Sequence, residues 1–467
     1  MQGEQTVYSI PQHVRDYIDK SGYEPACGAM EGHIKRWWDW MRSYGDFYDY
    51  DEVDSDSRRF KVHRLSIKPA KRVAKEWASL ILTDNTLTSC KDQACTDWLS
   101  KYFSDVNFYS LGQGSVQKAF GIGTAAWALW VDTSNAKMIP RRYDARMIVP
   151  LSWDDDCVSE CAFCTRASVK GKMLDQLQMH TLETDGYHIR TVFFNLDGNH
   201  VTVDGMIDDL PTKCPTPTFA IIKPAIENTV VDASPYGMSV FEDAIDAVKS
   251  VDLAYDAIYN EIDLGKMRVF LGESMFDNPE DANGKKQAIP FGKSDAVVFR
   301  KLAAADDLIK EFAPKLRTEY QVQAYRTALQ TLGDLTGFGL SYFDIDDSGG
   351  IKTATEVSSD NSALMRNIRR HENLLGGSIV QISHAAMHCA REFFGANLPE
   401  EGEIAVNFDD SIITDTAAEK QQDMAEVGTT MNAWEYRVKW YGEDEATARK
   451  NVAEIGRDAY DAGGFGE

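Results

Sequence analysis

No apolar run in this 467-residue chain approaches the roughly 18 residues a bilayer-spanning helix needs, which excludes a membrane-crossing helix and a membrane partner. Cysteine is scarce, eight in all, so no disulfide framework holds the fold and reduced thiols in a cytosol are the expectation. Positive charge is outweighed, with 49 Lys and Arg against 73 Asp and Glu, a net charge of −24. That balance argues against ordinary sequence reading of DNA, which needs a cationic face, but not against a protein that DNA must pass without sticking. The opening MQGEQTVYSIPQHVRDYIDK lacks the basic-then-apolar layout of a secretory signal. Neither G-x-S-x-G nor G-x-x-x-x-G-K-[ST] occurs, so a serine hydrolase or a P-loop NTPase has no support. Core-forming material is ample at 43% hydrophobic and 11% aromatic, which excludes wholesale disorder.

The first 130 residues read as helix-rich, with three Trp crowded into residues 37–40. A basic stretch follows: Arg58, Arg59, Lys61, Arg64, Lys68, Lys71, Arg72 and Lys75, with no acid among them. Pro69 suits a first helical turn, and Val73, Trp77, Leu80 and Ile81 follow at helical spacing. This positive face fits nucleic acid or a neighbouring subunit's carboxylates, and in so acidic a chain charge complementarity favours the neighbour. Alternation predicts antiparallel sheet over 124–204, a meander with strands at 187–194 and 200–203 and turns at Asp185-Gly186 and Asp197-Gly198. Residues 205–237 are loop-rich and hold five prolines. Phe241, Ile245, Val248, Val251, Tyr255, Ile258 and Ile262 then form one helical stripe over 239–263, a helix with seven acids and one Lys. Short strands occupy 264–312, a second helix about 315–335, and a Gly-rich loop with three Asp 337–353. A long helix from about 354 to 395, a strand at 403–408 and an acidic helical C-terminus complete the chain.

Four motifs bear on chemistry. Cys157, Cys161 and Cys164 stand at a spacing that holds three irons of a cubane cluster and resembles the motif of radical S-adenosylmethionine enzymes. The β/α barrel and glycine-rich segment of those enzymes have no counterpart here. Period-2 alternation instead puts Cys161 with Phe163 on one strand face and Ala162 with Cys164 on the other, as buried strand residues. His384 and His388 stand i, i+4 on a helix but lack the Glu of HExxH and an obvious third ligand. Asp344, Asp346, Ser348 and Gly349 match the start of a calcium loop, yet its twelfth position is Thr355, so the bidentate clamp fails. The glycines of 111–123 make a poor dinucleotide fingerprint, with Gln117 where the third Gly belongs. No catalytic, cofactor-binding or metal-binding residue is assigned.

The order of elements carries more. The Trp37, Trp40 and Gly45 context followed by RRFKVHRLSIKPAKRVAKEWASLIL (58–82) is one stretch of a resemblance. SPYGMSVFEDAIDAVKSVDLAYDAIYNEID (234–263), GGIKTATEVSSDNSALMRNIRRHENLL (349–375) and KWYGEDEATARKNVAEI (439–455) are the others. Together they resemble, in order, the portal proteins of tailed bacteriophages, in the long-tailed-phage family of Gram-positive hosts. The sequence departs from the family pattern at Thr83, Asp84 and Asn85, where Asn-Glu is usual.

That resemblance implies an α+β portal fold and no enzyme activity. It implies a dodecameric homo-oligomer at one capsid vertex of the virion, assembled in the host cytoplasm, through which double-stranded DNA is packaged and ejected without sequence-specific contacts. Implied partners are the terminase large subunit, the head-completion adaptor, and the major capsid and scaffolding proteins; no cofactor is implied. Mapped by the resemblance, 1–238 is wing, 239–263 and 313–335 are stem helices, 264–312 is clip, 336–353 is the tunnel loop, 354–404 is the long wing helix and 405–467 is crown. The loop residues facing DNA are then Asp344, Asp346, Asp347, Ser348, Gly349, Gly350 and Lys352, and the stem-helix acids are Asp246, Asp252 and Asp256. A subunit interface is expected at Arg58, Arg59, Arg64, Lys68, Lys71 and Arg72.

Overall fold

The computed structural model describes residues 8–24, 27–53, 57–155, 157–265, 268–272, 299–302, 309–312, 314–343, 354–399, 402–408, 420 and 423–462. Helices α1 (Gln12–Lys20) and α2 (Cys27–Arg42) lead into a hairpin of β1 (Asp49–Val53) and β2 (Arg59–His63). Next come α3 (Pro69–Ile81), β3 (Leu87–Cys90), α4 (Gln93–Asp105) and α5 (Phe108–Ile122). Helix α3 starts where expected because Pro69 is pre-set for the first turn, and its apolar stripe Val73, Trp77, Leu80 and Ile81 is buried.

The expected antiparallel region holds β4 (Ala125–Asp132), β5 (Lys137–Asp144), β6 (Ile148–Asp154), β7 (Cys157–Val169), β8 (Lys172–Glu183) and β9 (Gly186–Phe194), continued by β10 (Asp209–Cys214) and β11 (Phe219–Ile222). Strands β6 to β10 run as a five-stranded antiparallel meander, and β11-β4-β5 form a second, three-stranded sheet. Alternation sorts their side chains into layers. On β7, Ala162 and Cys164 pack under α1 with Val14 and Ile18. Cys161 and Phe163 face the other sheet with Ala126, Ala128 and Phe219. On β4, Trp127 and Leu129 point the opposite way, into the main helical core. The strand expected at 200–203 does not form beyond a single His200–Phe194 bridge. Asn195 Oδ1 accepts the backbone N–H groups of Asp197 (3.1 Å) and Asn199 (2.8 Å), winding this segment into a local turn that replaces a two-residue hairpin.

Helix α6 (Ile245–Leu264) begins six residues later than its apolar stripe suggests, because residues 239–244 close on themselves in turns such as Glu242 N–H to Ser239 C=O (3.0 Å). Three short strands follow, β12 (Arg268–Gly272), β13 (Phe299–Leu302) and β14 (Ile309–Phe312), with β12 central, parallel to β13 and antiparallel to β14. Then come α7 (Thr318–Leu335) and α8 (Ala354–Phe394), the latter 41 residues long. Helix α8 lies along β11, where Ser378 and Gln381 donate to the carbonyls of Ile221 (2.7 Å) and Phe219 (2.8 Å). Strand β15 (Ile404–Asn407) returns to pair antiparallel with β3, and α9 (Ala433–Tyr441) and α10 (Glu445–Ala462) end the described chain. Cys90 and Cys95, with Cα atoms 6.0 Å apart across the β3–α4 turn, are disulfide-bonded, which corrects the expectation that all thiols are reduced. Among the described residues no helix is long and apolar enough to cross a membrane.

Candidate functional site

Helices α6 and α7 pack antiparallel, with β12–β14 inserted between them in the chain. Glu261 ties their ends together: its carboxylate accepts from the Arg317 backbone N–H (3.0 Å), Nε (3.2 Å) and Nη2 (2.8 Å). The Arg317 guanidinium in return pulls the Glu261 carboxyl down to about 2. Tyr255 and Tyr325 meet across the pair with ring centroids 6.1 Å apart. The solvent side mixes exposed apolar side chains with polar and acidic ones such as Asp246, Asn260, Glu319 and Asp334. Leu253, Tyr259 and Ile262 on α6 are exposed, as are Val322 and Tyr320 on α7, Tyr320 at 80%.

The acids of α6 divide sharply. Asp252 is fully buried. Its Oδ2 accepts from the hydroxyls of Tyr48 and Ser66, both at 2.7 Å, and its Oδ1 from the Ile67 N–H at 3.0 Å. Burial pushes this carboxyl above the usual carboxylate range against the pull of those donors. One turn on, Asp256 accepts from the Leu65 N–H (3.0 Å) and the Asn260 carboxamide (3.0 Å). In the turns that precede the helix, Glu242 pairs with Arg36 and accepts from the Trp37 indole. Asp246 is the exposed member of the three singled-out acids, 94% open at its side chain and paired only with Lys249 at 2.9 Å. Much of the helix's formal negative charge is therefore committed inside the subunit, and Asp252 and Asp256 serve to hold the segment 64–67 that leads into α3.

The basic stretch divides as well. Arg64 donates to the Phe47 carbonyl, and its guanidinium lies over the rings of Phe47 (4.1 Å) and Tyr50 (5.0 Å). Arg59, Lys68 and Lys71 are exposed, and no described carboxylate pairs with them. Arg72, also exposed, packs its guanidinium 5.0 Å from the Phe343 ring. Arg58 is exposed and has partners of its own.

Between these faces the chain after α7 is pinned at a hub. Trp77 of α3 donates its indole N–H to the Thr336 carbonyl (3.0 Å) and packs on Phe338, centroids 4.4 Å apart. Asn367 of α8 donates to the Gly337 carbonyl (2.9 Å), and Tyr342 donates to Glu76 (3.2 Å). His371 meets Trp77 and Phe120 edge-on and accepts the Ala225 N–H at 2.9 Å; burial lowers its pKa to about 4. Gly337 sits at φ +85°, where a Cβ would lie 3.0 Å from Asn367 Nδ2. The acidic loop residues Asp344, Asp346, Asp347, Ser348, Gly349, Gly350 and Lys352 lie outside the described residues, immediately beyond this anchored root.

The cysteine spacing does not assemble. Cys157 is exposed, while Cys161 and Cys164 enter separate cores on opposite faces of β7. Burial raises both inner thiols, Cys164 to about 12, away from the thiolate a cluster requires. His388 Nε2 meets the Thr212 carbonyl at 3.1 Å, and among the described residues no three His, Cys, Asp or Glu side chains come together as a metal site.

The family model described as phage portal protein, SPP1 Gp6-like, matches residues 34–447, most of the chain and every element described above from β1 to α9. The chain belongs to that phage portal family. No curated protein matches this portal-family chain. Among solved structures, a chain from the virion of the native gene transfer agent (GTA) particle is similar at 13% identity and a TM-score of 0.38, covering 91% of this chain and 97% of that one. A chain from the neck of the native GTA particle computed with C12 symmetry is 13% identical at a TM-score of 0.34, covering 79% and 88%. The portal family is structural, and the α+β architecture agrees with it. Sequence reasoning missed the anchors Tyr48 and Ser66 and the hub residues His371 and Asn367. Each acts on a partner at least 30 residues away, and no local pattern announces such a contact.

Proposed function

We propose that the subunit closes into a ring of twelve at one capsid vertex of a tailed phage of a Gram-positive host, and that double-stranded DNA enters and leaves through the central channel. The observation that carries this reading is the antiparallel α6–α7 pair with large apolar side chains left exposed, in a chain of the portal family. A ring of identical subunits needs one face complementary to a different face of the same chain. The exposed acids of α6–α7, such as Asp246 and Asp334, and the exposed cations Arg59, Lys68 and Lys71 offer two such faces. In this reading 239–263 and 313–335 are stem, 264–312 is the clip that receives the terminase large subunit and later the head-completion adaptor, and 405–467 is crown. Residues 1–238 and 354–404 form the wing, held by the major capsid and scaffolding proteins as the virion assembles in the host cytoplasm. The acidic loop 336–353, rooted at the Trp77 hub, meets DNA at the constriction. Twelve chains at −24 sum to about −290, a field that repels a polyanion and keeps it moving. ATP hydrolysis belongs to the terminase.

Native mass spectrometry of the purified chain, with and without scaffolding protein, tests the ring. A species near twelve times 52.3 kDa, roughly 630 kDa, is expected. A monomer under both conditions sinks the reading.

A further inference from the structure

The solvent side of α8, soon after its start, is a stripe of like charge. Arg366, Arg369 and Arg370 are all exposed and stand i, i+3 and i+4, on one face of the helix. No described carboxylate pairs with any of them, although the chain holds 73 acids against 49 bases. The next acid in the sequence, Glu372, is buried. Like charges at i, i+4 oppose the helix that carries them, so Arg366 and Arg370 are placed at a cost to the isolated subunit. Every basic residue of α8 is arginine and none is lysine, the choice that suits planar, two-pronged recognition of phosphate.

The opposite face of this turn is held fast. Leu364, Ile368 and His371 are buried, Asn367 donates to the Gly337 carbonyl (2.9 Å), and His371 accepts from the Ala225 N–H (2.9 Å). The arginines therefore stand on a fixed platform at the hub. Arg72 of α3 borders the same hub, with its guanidinium 5.0 Å from the Phe343 ring. We infer that Arg366, Arg369 and Arg370 are a contact stripe for the phosphate backbone of duplex DNA, an inference that takes its partner from the channel reading above. Three cations over about 6 Å of helix match a polyanion with roughly one charge per 1.7 Å of axis better than they match scattered carboxylates on a second copy. Contacts to the backbone carry no sequence information, as passage of any sequence requires. With the whole chain at −24, the stripe gives brief contact rather than tight capture.

Fluorescence anisotropy of the full chain with a labelled random-sequence duplex of about 30 bp, in about 50 and 200 mM salt, tests this. The R366Q/R369Q/R370Q protein is expected to lose at least about tenfold in affinity at the lower salt, and the slope of log affinity against log salt to shrink by about 2 to 3. R366K/R369K/R370K keeps the charges and is expected to stay within about threefold, with an unchanged circular dichroism spectrum in both variants as the folding control. Native mass of the same proteins separates the stripe from the ring. Duplex binding that depends on the three arginines in a chain that forms no ring upholds the stripe and sinks the ring. No duplex binding by the parent chain, or unchanged affinity and salt slope in the glutamine variant, overturns the inference. So does a glutamine variant that falls from ring to monomer, which assigns the stripe to a neighbouring subunit.

Discussion

Single residues here do work that their chemistry suggests but their neighbours in sequence do not reveal. Asp252 reads on the page as one more acid on an acidic helix, yet it is the acceptor for two hydroxyls and a backbone N–H from segments about 185 and 204 positions away. Removing it takes the acceptor from one buried and two partly buried donors. Asp252→Ala is therefore expected to lose about 3 kcal/mol of unfolding free energy in urea titration, and Asp252→Asn, which keeps one acceptor oxygen, about 1 kcal/mol. The buried histidines give a pH signature. His180 is held neutral by burial down to about 3 and His371 to about 4, whereas both titrate near 6.5 once unfolded. Below pH 6.5 the unfolded chain takes up protons that the folded chain refuses, so stability is full above that pH and declines as pH falls toward the folded values. Each histidine contributes a loss of about 2 kcal/mol by pH 5. His371→Gln is expected to shed about that much less than the parent between pH 7.5 and pH 5 in paired denaturation curves.

At the scale of elements, periodicity carried far and then stopped at contacts between distant segments. The α3 stripe, the β7 alternation that splits Cys161 from Cys164, and the meander from β6 to β9 were all legible, because each is a local pattern imposed by burial on one face. The late start of α6, the lost strand at 200–203 and the Cys90–Cys95 bridge were not, since turn bonding and proximity across a turn overrode the pattern. The candidate site was legible as a set of segments, but the division of its charges into internal anchors and open faces needed tertiary structure. The join of α7 to α8 shows what such contacts achieve. Thr336, Gly337 and Phe338 are gripped by Trp77 and Asn367, so the following acidic segment starts from a fixed point. Gly337→Ala is expected to destabilise by about 1–2 kcal/mol, from the left-handed backbone and the 3.0 Å approach to Asn367, with melting temperature as the readout.

At the scale of the whole molecule, the net charge of −24 conceals an uneven surface. Arg59, Lys68 and Lys71 stay open while most α6 acids are engaged internally, so attraction between copies would draw on a few exposed cations. The triple charge reversal R59E/K68E/K71E is expected to shift native mass toward monomer without altering the circular dichroism spectrum. Raising salt to about 0.5 M is expected to weaken assembly of the parent chain in the same direction. Finally, β3 pairs with β15, so residues 87–90 wait for residues 404–407 before their sheet can form. During synthesis from the N-terminus, most of the chain must leave the ribosome before that edge is closed. A chain cut short before residue 404 leaves the β3 edge without its partner, so limited proteolysis is expected to cleave it faster than the full chain.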